Sequence, residues 1–344
     1  MRYIRILSVL LISSMILTGC DMTPIPESEE KEAKTYALIT KSQGNPYNDL
    51  AARGFQEIIE KEGGTCIMAS PEEAVAEDQI FLIRSMISQQ VDSIAIAAND
   101  TDALQSVLTE AIEKGIKIST LDSNTNAASR MTFVNQAGTA KIGQVLMDAV
   151  YDLTDGEGQW AILSATSQAT NQNSWISEMQ HVMEEKKYSK LSLVNIVYGQ
   201  DDYKISAEKT RELLEEYPDL KVICAPTTVG IEAVAEVLKE LGTNTGVKVT
   251  GLGLPSKMAS YIKGSDPVCP YMYLWNPIDM GRLSAYVSIA LVEGTITGAV
   301  GETFSAGELG TYEISPCEDG GTEVIVAPPL KFDAGNIDEW KDLF

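Results

Sequence analysis

Residues 35–70 read TYALITKSQGNPYNDLAARGFQEIIEKEGGTCIMAS, and this stretch decides the fold. The apolar and β-branched runs at 35–40 and 65–70 predict two strands, and the amphipathic segment 46–62 between them predicts a helix that Gly63 ends. Two parallel strands need a crossover connection, which is usually a helix. The strand–helix–strand order therefore indicates a parallel sheet.

The same alternation continues along the chain. Further strands are predicted at 93–97, 116–121, 131–134, 159–165, 191–199, 221–225, 247–253, 299–313 and 322–327. Short strands that alternate with longer helical segments predict an α/β protein in which helices cover parallel sheets. One large sheet or two sheets fit this pattern. Breaks near 131–137 and 275–294 favour two Rossmann-like lobes with parallel sheets, joined by three crossover segments.

We expect the chain to be divided into four parts. These are a lipoprotein signal peptide at 1–19, a flexible tether at 20–34, lobe one at 35–136 plus 278–296, and lobe two at 137–277 plus 297–344. The tether is predicted from its polar, charged and proline-containing composition, because such a segment cannot bury enough apolar surface to fold.

The N-terminus carries a secretion signal. Arg2 and Arg5 precede an apolar run at 7–17 that is too short to span a bilayer, and the run ends in Leu-Thr-Gly-Cys at 17–20. A small residue before cysteine at the cleavage point is typical of a lipoprotein, so Cys20 is the expected lipidation site. The alternative is an ordinary secretory signal. Either way we expect an extracytoplasmic protein, which the lipid would anchor to the bacterial cell membrane.

Charge and the scarcity of certain residues exclude several function classes. The net charge is −23 and no basic patch is apparent, so nucleic acid is not an expected partner. A single histidine, His181, makes Ser-His-Asp catalysis and multi-histidine metal sites improbable. No phosphate-binding GxxxxGK[ST] loop is present, and the glycines at 251 and 253 lack the third glycine of a dinucleotide fingerprint. We therefore expect no enzyme activity, no cofactor and no metal. We also expect the protein to be a monomer.

The remaining cysteines do not form a metal motif. None of Cys66, Cys224, Cys269 and Cys317 lies in a C-x-x-C pair. Cys66 and Cys224 lie in apolar runs typical of a core. Cys269 and Cys317 flank late loops, where a disulfide and two free thiols are both open possibilities.

The candidate binding residues follow the predicted strands, because ligands of open parallel sheets bind beyond the carboxyl ends of the strands. They are Lys41, Asn45, Tyr47, Asn99, Asp122, Asn171, Gln172, Trp175, Pro226, Thr228, Trp275 and Asn276. Amides, hydroxyls and single charges suit sugar hydroxyls, which both donate and accept, and aromatic faces suit the C–H side of a sugar ring. Helix capping is the alternative role for Asn99 and Asn173, and plain core packing for the two tryptophans.

Longer segments carry a resemblance to a known family. They are KSQGN (41–45), AANDTDAL (97–104), AILSATSQATNQNSW (161–175), VICAPTTVG (222–230), VTGLGLPSKMA (249–259) and WNPIDMG (275–281). In these segments the chain resembles the type I periplasmic sugar-binding lipoproteins of ABC importers. Its closest resemblance is to the rhamnose-binding subunits, and it is similar to the Lsr-type autoinducer-2 receptors.

The resemblance implies a receptor that captures a sugar, foremost L-rhamnose, between two lobes and delivers it to an ABC permease. It also implies ligand contacts at Lys41, Asp122, Asn171, Gln172, Pro226 and Thr228. The Lsr-type pattern usually has aspartate at the position of Asn171 and alanine at that of Thr228, and both departures favour the rhamnose group. Pro46-Tyr47 also departs from the usual loop. An autoinducer-2 receptor and a receptor for another monosaccharide such as ribose stay as alternatives.

Overall fold

The computed structural model describes residues 33–242 and 245–344. The strands are β1 (Thr35–Ile39), β2 (Thr65–Ala69), β3 (Ser93–Ile96), β4 (Lys117–Leu121), β5 (Thr132–Asn135), β6 (Gly158–Ser164), β7 (Leu191–Tyr198), β8 (Leu220–Ala225), β9 (Lys248–Gly251), β10 (Tyr271–Leu274), β11 (Thr303–Ser305), β12 (Thr311–Glu313), β13 (Ser315–Pro316), β14 (Thr322–Ile325) and β15 (Leu330–Asp333). The helices are α1 (Pro46–Lys61), α2 (Ala76–Ser88), α3 (Gln105–Glu113), α4 (Thr139–Leu153), α5 (Thr170–Met183), α6 (Tyr203–Glu216), α7 (Thr228–Leu241), α8 (Pro255–Ile262), α9 (Pro277–Glu293) and α10 (Ile337–Trp340).

The larger sheet has seven strands in the order β13-β14-β5-β4-β3-β1-β2. Every pair in it is parallel except β13 and β14. Helices α1 and α9 pack together and contact β1 and β3, whereas α2 and α3 cover the sheet with a separate apolar cluster. All four residues of β3 are buried, as expected for a strand covered on both faces.

The smaller sheet has four parallel strands in the order β7-β6-β8-β9. Its helices are α4 and α5, which pack on each other, and α6, α7 and α8. The antiparallel pair β10–β15 adjoins β9 through a bridge between Leu252 and Tyr273. The α/β class with parallel sheets covered by helices is therefore confirmed.

The chain passes between the two sheets three times. It crosses after β5 at 136–138, after β10 at 275–276, and after β14 at 326–329. The predicted boundary, which placed all of 297–344 with the second lobe, differs from the strand pairing on one point. Strand β14 pairs parallel with β5 and carries the short β13 with it, so 315–325 extends the larger sheet. Edge pairing of this kind depends on distant residues, and local pattern does not reveal it.

Other expectations have mixed outcomes. The predicted strand at 299–313 is divided into the hairpin strands β11 and β12, and β10, β15 and α10 were not predicted. The structure has four free thiols, at Cys66, Cys224, Cys269 and Cys317, so Cys269 and Cys317 do not form a disulfide. His181 is exposed. The signal peptide and Cys20 lie outside the described residues, and within those residues no helix is long and apolar enough to cross a membrane.

Candidate ligand-binding site

A cavity lies between the two sheets, where the carboxyl ends of their strands face each other. The larger sheet supplies residues after β1, β3 and β4, and the smaller sheet supplies residues after β6, β7, β8 and β9. The volume that the centre of a water-sized sphere can occupy is about 60 Å³. A sphere of that volume, enlarged by the water radius of about 1.4 Å, has a radius of about 4 Å. This inner cavity has room for one small ring.

All of the predicted binding residues except Asn276 line the inner cavity. They are Lys41, Asn45, Tyr47, Asn99, Asp122, Asn171, Gln172, Trp175, Pro226, Thr228 and Trp275. Asn276 is not among the residues that line the cavity. Its side chain caps helix α9, where its Oδ1 accepts from the backbone N–H of Ile278 at 3.0 Å and of Asp279 at 3.4 Å.

Asp122 is the charged centre of the cavity and is only 5% exposed. Its Oδ2 lies 3.4 Å from the Lys41 ammonium and accepts a hydrogen bond from the Asn171 amide at 3.2 Å. Its Oδ1 accepts from the Tyr47 hydroxyl at 3.0 Å. Lys41 also donates to Oδ1 of Asn171 at 3.0 Å. A buried carboxylate needs such partners, and here both sheets supply them.

Tyr47 is held as a neutral hydrogen-bond donor. Burial, followed by the nearby negative charge of Asp122, raises the pKa of the Tyr47 phenol well above its ordinary value. The Trp275 indole N–H donates to the Tyr47 hydroxyl at 2.7 Å, so the hydroxyl accepts from Trp275 while it donates to Asp122. These two consecutive hydrogen bonds fix the position of the Asp122 carboxylate through two aromatic side chains.

Two tryptophans form the aromatic part of the wall. The ring centres of Trp175 and Trp275 lie 5.7 Å apart, with 62° between the ring planes. Both side chains are almost fully buried, and both line the cavity. Each tryptophan therefore packs in the core and also presents part of its ring to the cavity.

Two of the predicted residues also have a structural role. The Asn99 amide donates to the backbone carbonyl of Lys41 at 2.9 Å, which ties the ends of β1 and β3 together. The Gln172 side-chain oxygen accepts from the backbone N–H of Ala165 at 3.2 Å and so holds the end of β6. Helix α5 begins at Thr170, which places Asn171 and Gln172 in its first turn.

Asp201 was missed by the sequence analysis. It follows β7 in a left-handed turn, with φ of 53° after Gln200 at 57°. Its carboxylate accepts from the Asn45 amide at 2.8 Å and from the Thr227 hydroxyl at 3.1 Å. Asn45 belongs to the larger sheet and Asp201 to the smaller, so this bond spans the cavity. The rule that selected residues after strands also applies to β7, so Asp201 could have been found from the predicted strand at 191–199.

The apolar part of the wall was also missing from the predicted set. It consists of Ala74, Ala98, Ala165, Ala169, Leu252 and Leu274. These residue types are so common in cores that nothing in the sequence distinguishes those that face a cavity. No cluster of histidine, cysteine and acidic side chains with metal-ligating potential occurs within 33–242 and 245–344.

Comparison with known proteins identifies the family. Residues 36–296 match the model of the periplasmic binding protein domain. The chain belongs to the periplasmic binding protein family. The family resemblance inferred from the sequence segments is thus confirmed, and the protein works outside the cytoplasmic membrane.

Two solved structures and one curated protein resemble this chain. A solute-binding protein of an ABC transporter from Clostridium phytofermentas, crystallised with bound L-rhamnose, is 54% identical, with 91% of this chain and 99% of that chain covered and a TM-score of 0.88. LsrB from Clostridium saccharobutylicum, in complex with AI-2, is 22% identical, with 89% and 99% covered and a TM-score of 0.82. The D-ribose/D-allose-binding protein of Pseudomonas aeruginosa is 23% identical over 262 residues, which are 72% of this chain and 80% of that protein.

The relative at 54% identity decides the functional class of this periplasmic binding protein. It shares nearly its full length with the chain and is a solute-binding protein of an ABC transporter. This chain is therefore a solute-binding component of such a transporter. The likeness to LsrB, at 22% identity, shows the common fold alone.

Proposed function

We propose that this protein is a receptor for a neutral sugar, foremost L-rhamnose, which it passes to the membrane permease of an ABC transporter. The observation that carries the proposal is the 54% identity, over 99% of its length, to a solute-binding protein that holds L-rhamnose. The chemistry of the inner cavity supports the same class of ligand.

The charges of the cavity favour a neutral ligand. The Lys41 ammonium and the Asp122 carboxylate lie 3.4 Å apart and compensate each other. Asp201, the other carboxylate of the wall, accepts hydrogen bonds from Asn45 and Thr227. An anionic ligand would meet two carboxylates, and a cationic ligand would meet the Lys41 ammonium. Sugar hydroxyls suit both groups, because a hydroxyl donates to the carboxylate and accepts from the ammonium.

The apolar wall suits a deoxysugar. Leu252 and Leu274 line the cavity beside small alanines, and an exocyclic methyl gains by contact with such a surface. The rings of Tyr47 and Trp275 also line the cavity.

The proposed mechanism is capture by closure, without any covalent step. The sheets are connected by three chain crossings, and a hinge at such crossings lets two lobes move as rigid bodies. A sugar that contacts both lobes stabilises the closed form, because it binds that form more tightly than the open one. The permease then recognises the closed form. In this proposal a lipid on Cys20 keeps the receptor beside the membrane.

Calorimetric titration of the purified protein with L-rhamnose tests the proposal. We expect a dissociation constant in the micromolar range or tighter, and weaker binding of D-ribose, D-galactose and autoinducer-2. A hundredfold excess of rhamnose over its dissociation constant should also stabilise the fold by about 2.7 kcal/mol, which a melting experiment detects. Absence of rhamnose binding together with tight binding of autoinducer-2 would make the protein a signal receptor instead. Tightest binding of ribose would select the other alternative.

The hydrogen bond between Asn45 and Asp201 is expected to help hold the cleft closed. Replacing Asn45 with aspartate keeps an N-cap acceptor for helix α1, since the Asn45 Oδ1 accepts from the Tyr47 N–H, but it places a second carboxylate against Asp201. Repulsion between the two carboxylates favours the open form. We expect the affinity for rhamnose to fall by about tenfold, corresponding to about 1.4 kcal/mol. Calorimetry measures the change.

The double variant Asn45→Asp/Asp201→Asn is the control for this prediction. It exchanges the two side chains and restores an amide–carboxylate pair across the cleft. Asparagine tolerates the left-handed backbone at position 201, where φ is 53°. We expect the double variant to recover most of the lost affinity, as a favourable coupling energy in the double-mutant cycle. Additive losses would show that the two side chains act separately.

A further inference from the structure

A second, larger cavity adjoins the inner one and was not part of the predicted site. The volume that the centre of a water-sized sphere can occupy is about 840 Å³ here and about 60 Å³ in the inner cavity. It lies between the start of helix α4, the first turns of helix α5 and the loop between β13 and β14. We refer to this space as the outer cleft.

The two cavities share part of their wall. Asp122, Asn171 and Trp175 line both of them. A small ring held against these three side chains in the inner cavity therefore lies next to the outer cleft. These side chains also separate the two spaces, because the Asn171 amide donates to Asp122 at 3.2 Å. A substituent on that side of the ring enters the outer cleft when the Asn171 side chain rotates away from this bond.

The outer cleft is polar and acidic. The side chains that line it include Asp102, Glu318, Asp319 and Glu323, with Lys141 as a positive group. Arg130 pairs with Asp319 at 2.7 Å, and the Asn135 amide donates to Glu323 at 2.7 Å. Asp102 and Glu318 are exposed. This wall offers acceptors to hydroxyl groups and repels an anionic ligand.

Unused hydrogen-bonding groups lie in the same wall. Gln136, at the first crossing between the sheets, is 1% exposed, and Thr125 is fully buried. The Gln136 Oε1 and the Thr125 Oγ1 have no hydrogen-bond partner among the described residues. Buried polar groups are normally paired, so a change in side-chain rotamer that turns them to a polyol would recover these bonds.

We propose that the outer cleft binds the second unit of a short neutral saccharide whose terminal rhamnose occupies the inner cavity. This inference rests on the function proposed above and deepens it, because it makes rhamnosyl disaccharides ligands alongside the free sugar. The acidic wall selects a neutral second unit over a uronic acid.

Titration with three ligands tests this proposal. They are L-rhamnose, an α-linked L-rhamnobiose, and a disaccharide of L-rhamnose linked to a uronic acid. We expect rhamnobiose to bind at least as tightly as rhamnose, and the uronic acid disaccharide to bind about tenfold more weakly than rhamnobiose. A larger side chain at position 140 would narrow the outer cleft. Ala140 lies exposed at the start of helix α4 and lines the outer cleft but not the inner cavity.

Ala140→Trp is expected to weaken rhamnobiose binding by about tenfold or more, because the indole would occupy the space of the second sugar unit, and to leave rhamnose affinity within about twofold. Ala140→Ser is the matched control and should change neither affinity. Ser174→Trp, on the facing helix α5, repeats the test if Ala140→Trp fails to fold. Equal weakening of both ligands by the tryptophan, or tight rhamnose binding with no binding of rhamnobiose, would overturn the outer subsite while the receptor function stands. Failure of rhamnose and rhamnobiose alike would overturn both proposals.

Discussion

Replacing Asp122 with asparagine is expected to weaken the binding of L-rhamnose by about a hundredfold. The carboxylate is 5% exposed and is contacted by Tyr47, Lys41 and Asn171. Hydrogen bonds to charged groups contribute about 1.5–3 kcal/mol each, and about 2.8 kcal/mol corresponds to a hundredfold change in affinity. Asparagine keeps one acceptor oxygen but removes the charge that balances Lys41 and orients the donors around it.

Asparagine is the right substitution because of the backbone at this position. Asp122 has a φ of 61°, in the left-handed region that asparagine tolerates and alanine disfavours. The variant therefore separates the loss of charge from backbone strain. Calorimetric titration measures the affinity, and thermal melting without ligand reports any loss of stability from the unbalanced Lys41.

Asp219→Asn is the matched control, since Asp219 is exposed in the loop before β8 and does not line either cavity. It should leave both affinity and melting temperature unchanged. If Asp122→Asn bound rhamnose as tightly as the unchanged protein, the carboxylate would have only a structural role. The ligand contacts of the larger sheet would then need to be assigned to its other lining residues, such as Lys41 and Asn99.

Much of the fold was predictable because parallel sheets have local signatures. A strand buried on both faces is a continuous apolar run, and the helix after it is amphipathic, so 35–70 is sufficient to show the repeating unit. The position of the site was predictable for the same reason. Residues that follow parallel strands meet at one edge, which brought Lys41, Asp122 and Asn171 into contact although they are distant in sequence.

What was not predictable depends on long-range pairing. Strand β14 joins β5 across 188 residues, as the hydrogen bond from Asn135 to Glu323 illustrates, and no local pattern specifies that partner. Asp201 enters the site because two left-handed residues turn the chain after β7 towards Asn45. Asn276 follows β10 but caps α9 and does not line the inner cavity. In each case a competing local role or a distant partner decided the outcome.

The second large effect is expected in the packing of α1 against α9. Replacing Gly281 with alanine should destabilise the fold by about 3 kcal/mol, the upper part of the range for overpacking. A Cβ atom there would lie 1.9 Å from the Ala51 carbonyl oxygen and 2.9 Å from the Phe55 nitrogen. Both atoms belong to the backbone of α1, so no side-chain rotation relieves the clash, and the helices must separate.

The sign of this effect distinguishes packing from helix propensity. Alanine is favoured over glycine inside a helix by about 1 kcal/mol, so propensity alone predicts stabilisation. We expect instead a melting temperature lower by about 5 °C or more, measured by calorimetry. Arg53→Ala is the control, because Arg53 lies exposed on α1 and lines neither cavity. An unchanged or raised melting temperature for Gly281→Ala would contradict the close approach of the helices.

The same substitution should also weaken ligand binding. Helix α1 carries Tyr47 in its first turn, and α9 begins two residues after Trp275. Separation of these helices lengthens the 2.7 Å hydrogen bond by which the Trp275 indole positions the Tyr47 hydroxyl against Asp122. Rhamnose affinity is therefore expected to fall together with stability in Gly281→Ala and to stay unchanged in Arg53→Ala. A destabilised Gly281→Ala variant that kept full affinity would show that the site does not depend on the contact between these helices.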